Sequence, residues 1–163
     1  MLNSLVPGVA HSLSLQVNDQ LLVTAFTPHF PGFADLPPVF ATAFLVGFME
    51  WACIETIKPY LLDGENSVGT HVYLSHVAPT PAGMRVTAQV ELIEVKERML
   101  RFRVDCYDGC GLIGSGYHER TVVDPERFMA KVRKNHNLAG GLAVQREFDR
   151  HHRIQSAGGK IGR

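Results

Sequence analysis

Between Val39 and Ile54 the chain is apolar at almost every position, and one carboxylate, Glu50, sits inside the run. A helix that is apolar on nearly all faces has to bury itself. An ionised carboxylate within it is costly unless paired, hydrogen-bonded or protonated. Its neighbours one turn away are apolar on both sides, Val46 and Gly47 before it and Ile54 after it. Glu50 therefore lies either on a narrow solvated stripe or in a functional site. The same run carries a hydroxyl near its start, Thr42, and a later apolar stretch carries His76. Threonine is also a favoured N-cap, so Thr42 has an ordinary structural reading beside a functional one.

The flanking pattern sets the fold class. Residues 11–26 alternate loosely and are expected to give one or two strands. Pro28, Pro31, Pro37 and Pro38 then make a loop, because proline fixes φ and removes a backbone donor. It leads directly into the helix, expected over 41–61, with Pro59 breaking the last turn. Mid-helix Gly47 costs about 1 kcal/mol against alanine, and a close helix-to-sheet approach would justify it. Residues 67–77 are rich in strand formers. Val86, Ala88, Val90 and Leu92 alternate with polar residues, as do Leu100, Phe102, Val104 and Cys106. Asp108-Gly109 signals a hairpin, and a last strand is expected over 112–123. Asp124-Pro125 opens a short helix to about residue 135. The expected fold is α+β, one antiparallel sheet wrapped around a long central helix.

A length of 163 residues fits one domain with a substantial core, burying roughly 70% of the unfolded surface. The expected division is a domain over 1–137 and a flexible extension over 138–163, where Gly, Arg and His accumulate. Sixteen basic and sixteen acidic residues balance to zero, which argues against nucleic acid as a partner. Three cysteines, an odd and low number, fit reduced thiols and a cytoplasmic protein. Cys106 and Cys110 have no second pair, so neither a metal nor another cofactor is expected. The first residues lack a basic segment and a long apolar stretch, and the Glu50 run is too short to span a bilayer; neither a signal peptide nor a membrane partner is expected.

The run Val39-Phe-Ala-Thr-Ala-Phe-Leu-Val-Gly-Phe-Met-Glu-Trp-Ala-Cys53, with Ser67-Val-Gly-Thr70, Ser75-His76 and Gly114-Ser-Gly-Tyr-His-Glu-Arg120, closely resembles the fluoroacetyl-CoA thioesterase family. The resemblance covers about residues 10–135 and implies the hot-dog fold. It places the family's functional hydroxyl on Thr42, its carboxylate on Glu50 and its histidine on His76. The glycine whose N–H lies near the thioester carbonyl falls on Gly69, and the active-site arginine on Arg120. One lid aromatic falls on Phe33. A second, phenylalanine in the fluoroacetyl-selective enzyme, is Leu36 here, which puts the fluorinated substrate in question.

The implied activity is hydrolysis of a short-chain acyl-CoA. Glu50 would serve as nucleophile or as general base on water, with His76 as proton shuttle. On one continuous helix Thr42 and Glu50 would sit about 12 Å apart along the axis. Either Thr42 precedes the helix and folds back, or the site combines groups from two chains; hot-dog proteins form dimers, which favours a homodimer with shared sites. Arg120, Lys131, Arg133 and Lys134 are the cations that could meet coenzyme A phosphates. A hot-dog hydratase and a non-catalytic acyl-CoA sensor are the competing readings, and the Thr42, Glu50 and His76 trio weighs against both.

Overall fold

The structure, a computed structural model, describes residues 1–138. Alternation of apolar and polar residues produces the strands where period 2 is strongest. β3 (Arg85–Lys96) buries Val86, Ala88, Val90 and Leu92, and β4 (Met99–Asp108) buries Leu100, Phe102, Val104 and Cys106. With β1 (Ala10–Gln16), β2 (Asn66–Leu74) and β5 (Gly111–Val123) they form one antiparallel sheet in the order β1-β3-β4-β5-β2. The long β3–β4–β5 meander is the centre, and β1 and β2 are the edges.

Helix α1 (Thr42–Ile57) packs its Leu45, Phe48, Met49, Ala52, Cys53 and Ile57 side against this sheet. The α-helix stops at Ile57, short of the expected residue 61, and the last turn, broken at Pro59 as expected, is a 3₁₀ turn over Lys58–Tyr60. Two expectations need correction. The helix is not enclosed: Thr42, Ala43, Gly47 and Trp51 lie on an exposed side, Trp51 at 43%. One sheet covers only one side of a cylinder about 10 Å across, however apolar the rest. Gly47 accordingly marks no close approach, since a Cβ added there would meet open space.

Residues 19–26 also depart from the expected strand pattern. They form 3₁₀ turns, Asp19–Leu21 and Val23–Phe26, where a strand was a possibility. Asn18 caps the first by accepting from the Gln20 N–H, and this local bond competes with strand pairing. A single antiparallel bridge, Leu22 to Phe40, then closes the proline-rich loop into a flap at the start of α1.

The compact unit that carries these elements is Met1–Val123, and a second unit begins at Asp124. Within the latter, α2 (Pro125–Leu138) starts on proline, and Asp124 caps it by accepting from the Arg127 N–H at 3.0 Å. Of the expected extension over 138–163, Leu138 closes α2 and the rest lies outside the described residues. No described helix is long and apolar enough to cross a membrane.

Candidate active site

Two polar clusters stand at different levels of α1. The first is at its N-terminus. Ala41 is the N-cap residue and its side chain makes no capping bond, so Thr42 is the first helical residue and not the cap. Its hydroxyl instead meets His76 Nδ1 at 2.9 Å. His76 reaches that point because the chain after β2 runs on beside β5, with Ser75 and Val77 N–H groups bonded to Ser115 and Ile113 carbonyls at 2.8 Å. Gly114 permits the approach: a Cβ there would sit 2.5 Å from the Ser75 carbonyl oxygen. Burial lowers the pKa of His76 below its ordinary value. Its Nε2 is buried and has no hydrogen-bond partner among the described residues.

Aromatic rings of the flap stand beside this pair. Phe26, Phe30 and Phe33 have centroids 5.7 to 6.2 Å apart, and Phe26 stacks on Phe44 of α1 at 4.8 Å. Phe26, Phe30 and Phe33, with Ala41, Thr42 and Ala43, line a cavity of about 370 Å³. Thr42 also borders a second cavity, about 250 Å³, on the side of His76. Leu36 lines neither and is 44% exposed. Phe26 and Phe30 were not singled out from sequence; the signal was their spacing with Phe33, about one and two helical turns, inside a proline-rich loop.

The second cluster surrounds Glu50, lower on the same helix. Arg120 Nη1 donates to Glu50 Oε1 at 2.7 Å. Arg120 is 3% exposed, whereas the Glu50 side chain is 35% exposed. The remaining Arg120 bonds run into the protein: Nε donates to Ser67 Oγ at 2.9 Å, Nη2 to the Ser67 carbonyl at 2.8 Å, and Nη1 lies 3.0 Å from His118 Nε2. Gly69, paired with Arg120 across β2 and β5, lies directly under the carboxylate. Any Cβ there would overlap Glu50 Oε1 and come within 3.2 Å of His118 Cε1. Cys53, one turn from Glu50, is pushed up to about 12 by burial, so it supplies no thiolate nucleophile.

His118 is the residue that sequence reading passed over. β5 alternates, with His118, Arg120 and Val122 buried on one face, so its place beside Arg120 was implied by the period of two.

Glu50, Gly69 and Arg120 are thus brought together, and Thr42, His76 and Phe33 are brought together. The two groups are not joined within one chain. Because α1 is continuous from Thr42 to Ile57, its rise keeps Thr42 and Glu50 about 12 Å apart along the axis. Lys131, Arg133 and Lys134 lie on α2.

Comparison with known proteins agrees with this architecture. The family model for fluoroacetyl-CoA-specific thioesterase matches residues 23–126. The fluoroacetyl-CoA thioesterase of Streptantibioticus cattleyicolor is 51% identical over 107 residues, 66% of this chain and 77% of that protein. A solved structure of the fluoroacetyl-CoA thioesterase FlK superposes with a TM-score of 0.78 at 44% identity, covering 81% of this chain and 98% of the other. A thioesterase superfamily member from Thermus thermophilus gives 0.74 at 26% identity, covering 83% and 96%. A hot-dog-like protein from Thermanaerovibrio acidaminovorans, 22% identical with a TM-score of 0.67 over 79% and 91%, shares the fold. The chain is a hot-dog thioesterase and belongs to the fluoroacetyl-CoA-specific thioesterase family.

Proposed function

We propose that the protein hydrolyses a short-chain acyl-CoA thioester to the free acid and coenzyme A. The observation that carries this reading is a carboxylate on the helix, Glu50, held 2.7 Å from a buried arginine and open to solvent on its other side. A phenylalanine-to-alanine mutant of FlK has been solved with fluoroacetate and CoA, and a threonine-to-serine mutant of it with acetyl-CoA. Those ligands support the acyl-CoA class for this chain.

Each active site is built between two copies of the chain in a homodimer. One protomer supplies Thr42, His76 and the aromatic flap; its partner supplies Glu50, Gly69 and Arg120. The separation of the two clusters on α1 supports this, as does the exposed apolar side of that helix. Phe33 and its neighbours cover the acyl group, and the apolar lining suits a small, uncharged acyl chain. Arg120 holds Glu50 in place. A cytoplasmic setting fits the three free cysteines.

Two routes use the same groups. As nucleophile, Glu50 attacks the thioester carbonyl, the C–S bond breaks, and a mixed anhydride remains for water to open. As general base, it takes a proton from water, whose oxygen attacks the carbonyl directly. In both, the oxyanion is met by the Gly69 N–H, a contact commonly worth about 3 kcal/mol of barrier. His76 moves the proton between water and the departing thiolate, with Thr42 fixing its ring.

The test is thiol release from acetyl-, fluoroacetyl-, isobutyryl- and benzoyl-CoA. Turnover of a small acyl ester establishes the reaction and names the acyl group. Tight binding of these esters without turnover makes the protein a sensor.

A pH profile tests His76. Burial holds its pKa below the ordinary 6.5, so the ring is neutral and able to accept a proton at neutral pH. Turnover should stay level through neutrality and fall only as pH drops below 6.5. An acid limb that begins above neutrality argues against this role. Stability should follow the same direction. His76 and His118 both have lowered pKa values, chiefly through burial, and bind protons less readily folded than unfolded. Their contribution is complete above 6.5 and is lost as pH falls through the lower folded values.

A further inference from the structure

We infer that His118 is a positioning residue for the catalytic carboxylate, acting through Arg120: its Nε2 lone pair accepts a hydrogen bond from Arg120 Nη1 and so fixes the guanidinium that holds Glu50. The inference rests on Glu50 being the catalytic carboxylate, but its geometry is independent of the substrate.

The bonds at the two ends of the ring determine its state. Nδ1 lies 2.9 Å from the His71 carbonyl oxygen, which can only accept, so Nδ1 carries a proton and donates. Nε2 lies 3.0 Å from Arg120 Nη1, which can only donate, so Nε2 must be the acceptor. A proton on Nε2 would set two donors face to face at that distance. The ring is therefore neutral, with its proton on Nδ1. Burial and the Arg120 cation favour this form, against the pull of Glu50, Glu119 and the His71 carbonyl. At 1% exposure no water competes freely for Nε2.

Arg120 Nη1 has two N–H groups. One goes to Glu50 Oε1 at 2.7 Å and the other to His118 Nε2 at 3.0 Å. With Nε and Nη2 anchored on Ser67, the guanidinium is fixed in plane and in depth. His118 Nε2 is itself 3.6 Å from Glu50 Oε1, too far for a good hydrogen bond, so its hold on the carboxylate is indirect. Without an acceptor at Nε2, one buried Arg120 N–H is orphaned and the guanidinium is free to tilt. Glu50 tilts with it, and a displacement near 1 Å at a reacting group lowers turnover on the order of 100-fold.

Two substitutions separate this role from a merely structural one. His118→Gln keeps an acceptor near the position of Nε2 and loses the bond to His71. His118→Asn keeps a donor near the position of Nδ1 and loses the acceptor for Arg120. His118→Gln is expected to retain kcat within about tenfold of wild type, and His118→Asn to lose on the order of 100-fold in kcat with KM little changed. Equal activity of the two variants, or a better His118→Asn, overturns the inference. Side-chain ¹⁵N NMR of His118 in the wild-type protein reads the same point without any turnover. A protonated Nδ1 and bare Nε2 at neutral pH support it, and a protonated Nε2 overturns it even if no acyl-CoA is hydrolysed.

Discussion

Glu50→Gln is expected to lower thioester hydrolysis by roughly 100- to 10,000-fold, the range associated with losing a positioned general base, while the protein stays folded. The substitution changes the charge and basicity of one side chain and almost nothing of its shape. Arg120 Nη1 can still donate to the amide oxygen, as it now does to Glu50 Oε1 at 2.7 Å. What is lost is the attacking or proton-accepting oxygen. Stability should change by no more than about 2 kcal/mol, because Glu50 is 35% exposed and water shares in its solvation, which discounts the ion pair. Thiol release with the preferred ester, set beside thermal unfolding, checks both parts. An active, folded Glu50→Gln variant would remove Glu50 from the chemistry and leave the Arg120 pair as architecture. An unfolded variant would mean the pair is needed for the fold, and Glu50→Asp would then be the informative change, since it keeps the charge and withdraws it by one methylene.

How far the sequence carries depends on the range of the interaction. The strands of the meander were legible because period-2 alternation in Val86–Leu92 and Leu100–Cys106 is local and strong. The stop at Pro59 and the start at Asp124-Pro125 were legible because proline acts on its own backbone. Leu21–Phe26 were less so: an apolar run fits a strand or a turn, and the Asn18 cap and the packing of Phe26 on Phe44 decided between them. Gly47 marks no close packing because an apolar helix face need not be a buried one, and here that face is open. At the site, a carboxylate in an apolar helix marks Glu50, a hydroxyl at the start of the same run marks Thr42 and a histidine in a later apolar stretch marks His76, while the family resemblance assigns their roles. Which residues of different elements touch was not legible. The Thr42–His76 contact joins α1 to the chain beyond β2, and Arg120 reaches Glu50 from β5, 70 residues later in the chain. Such pairings follow from sheet order, which alternation does not encode.

The separation of the two clusters leads to an expected result of a different kind, recovery of activity from two inactive proteins. Thr42→Ala damages the cluster that contains His76, and Glu50→Gln damages the cluster that contains Arg120. In the proposed homodimer each variant then has two broken sites. Coexpressed with different tags, or unfolded and refolded together, half of the dimers contain one of each chain. In these, one site receives both lesions, and the other receives an intact Thr42 and His76 from one protomer with an intact Glu50 from the other. The mixture should reach about one quarter of the wild-type rate, and the purified mixed dimer about one half. A control pairs Thr42→Ala with His76→Ala. Both lesions fall in the same cluster, so no combination yields an intact site and no recovery is expected. Recovery in the first pair but not in the control establishes sites shared across the dimer. Absence of recovery in both, with mixed dimers demonstrably formed, means that each chain completes its own site, and α1 would then have to bend or break between Thr42 and Glu50 to bring them together. A straight helix cannot do this, because a rise of 1.5 Å per residue holds the two side chains about 12 Å apart along its axis.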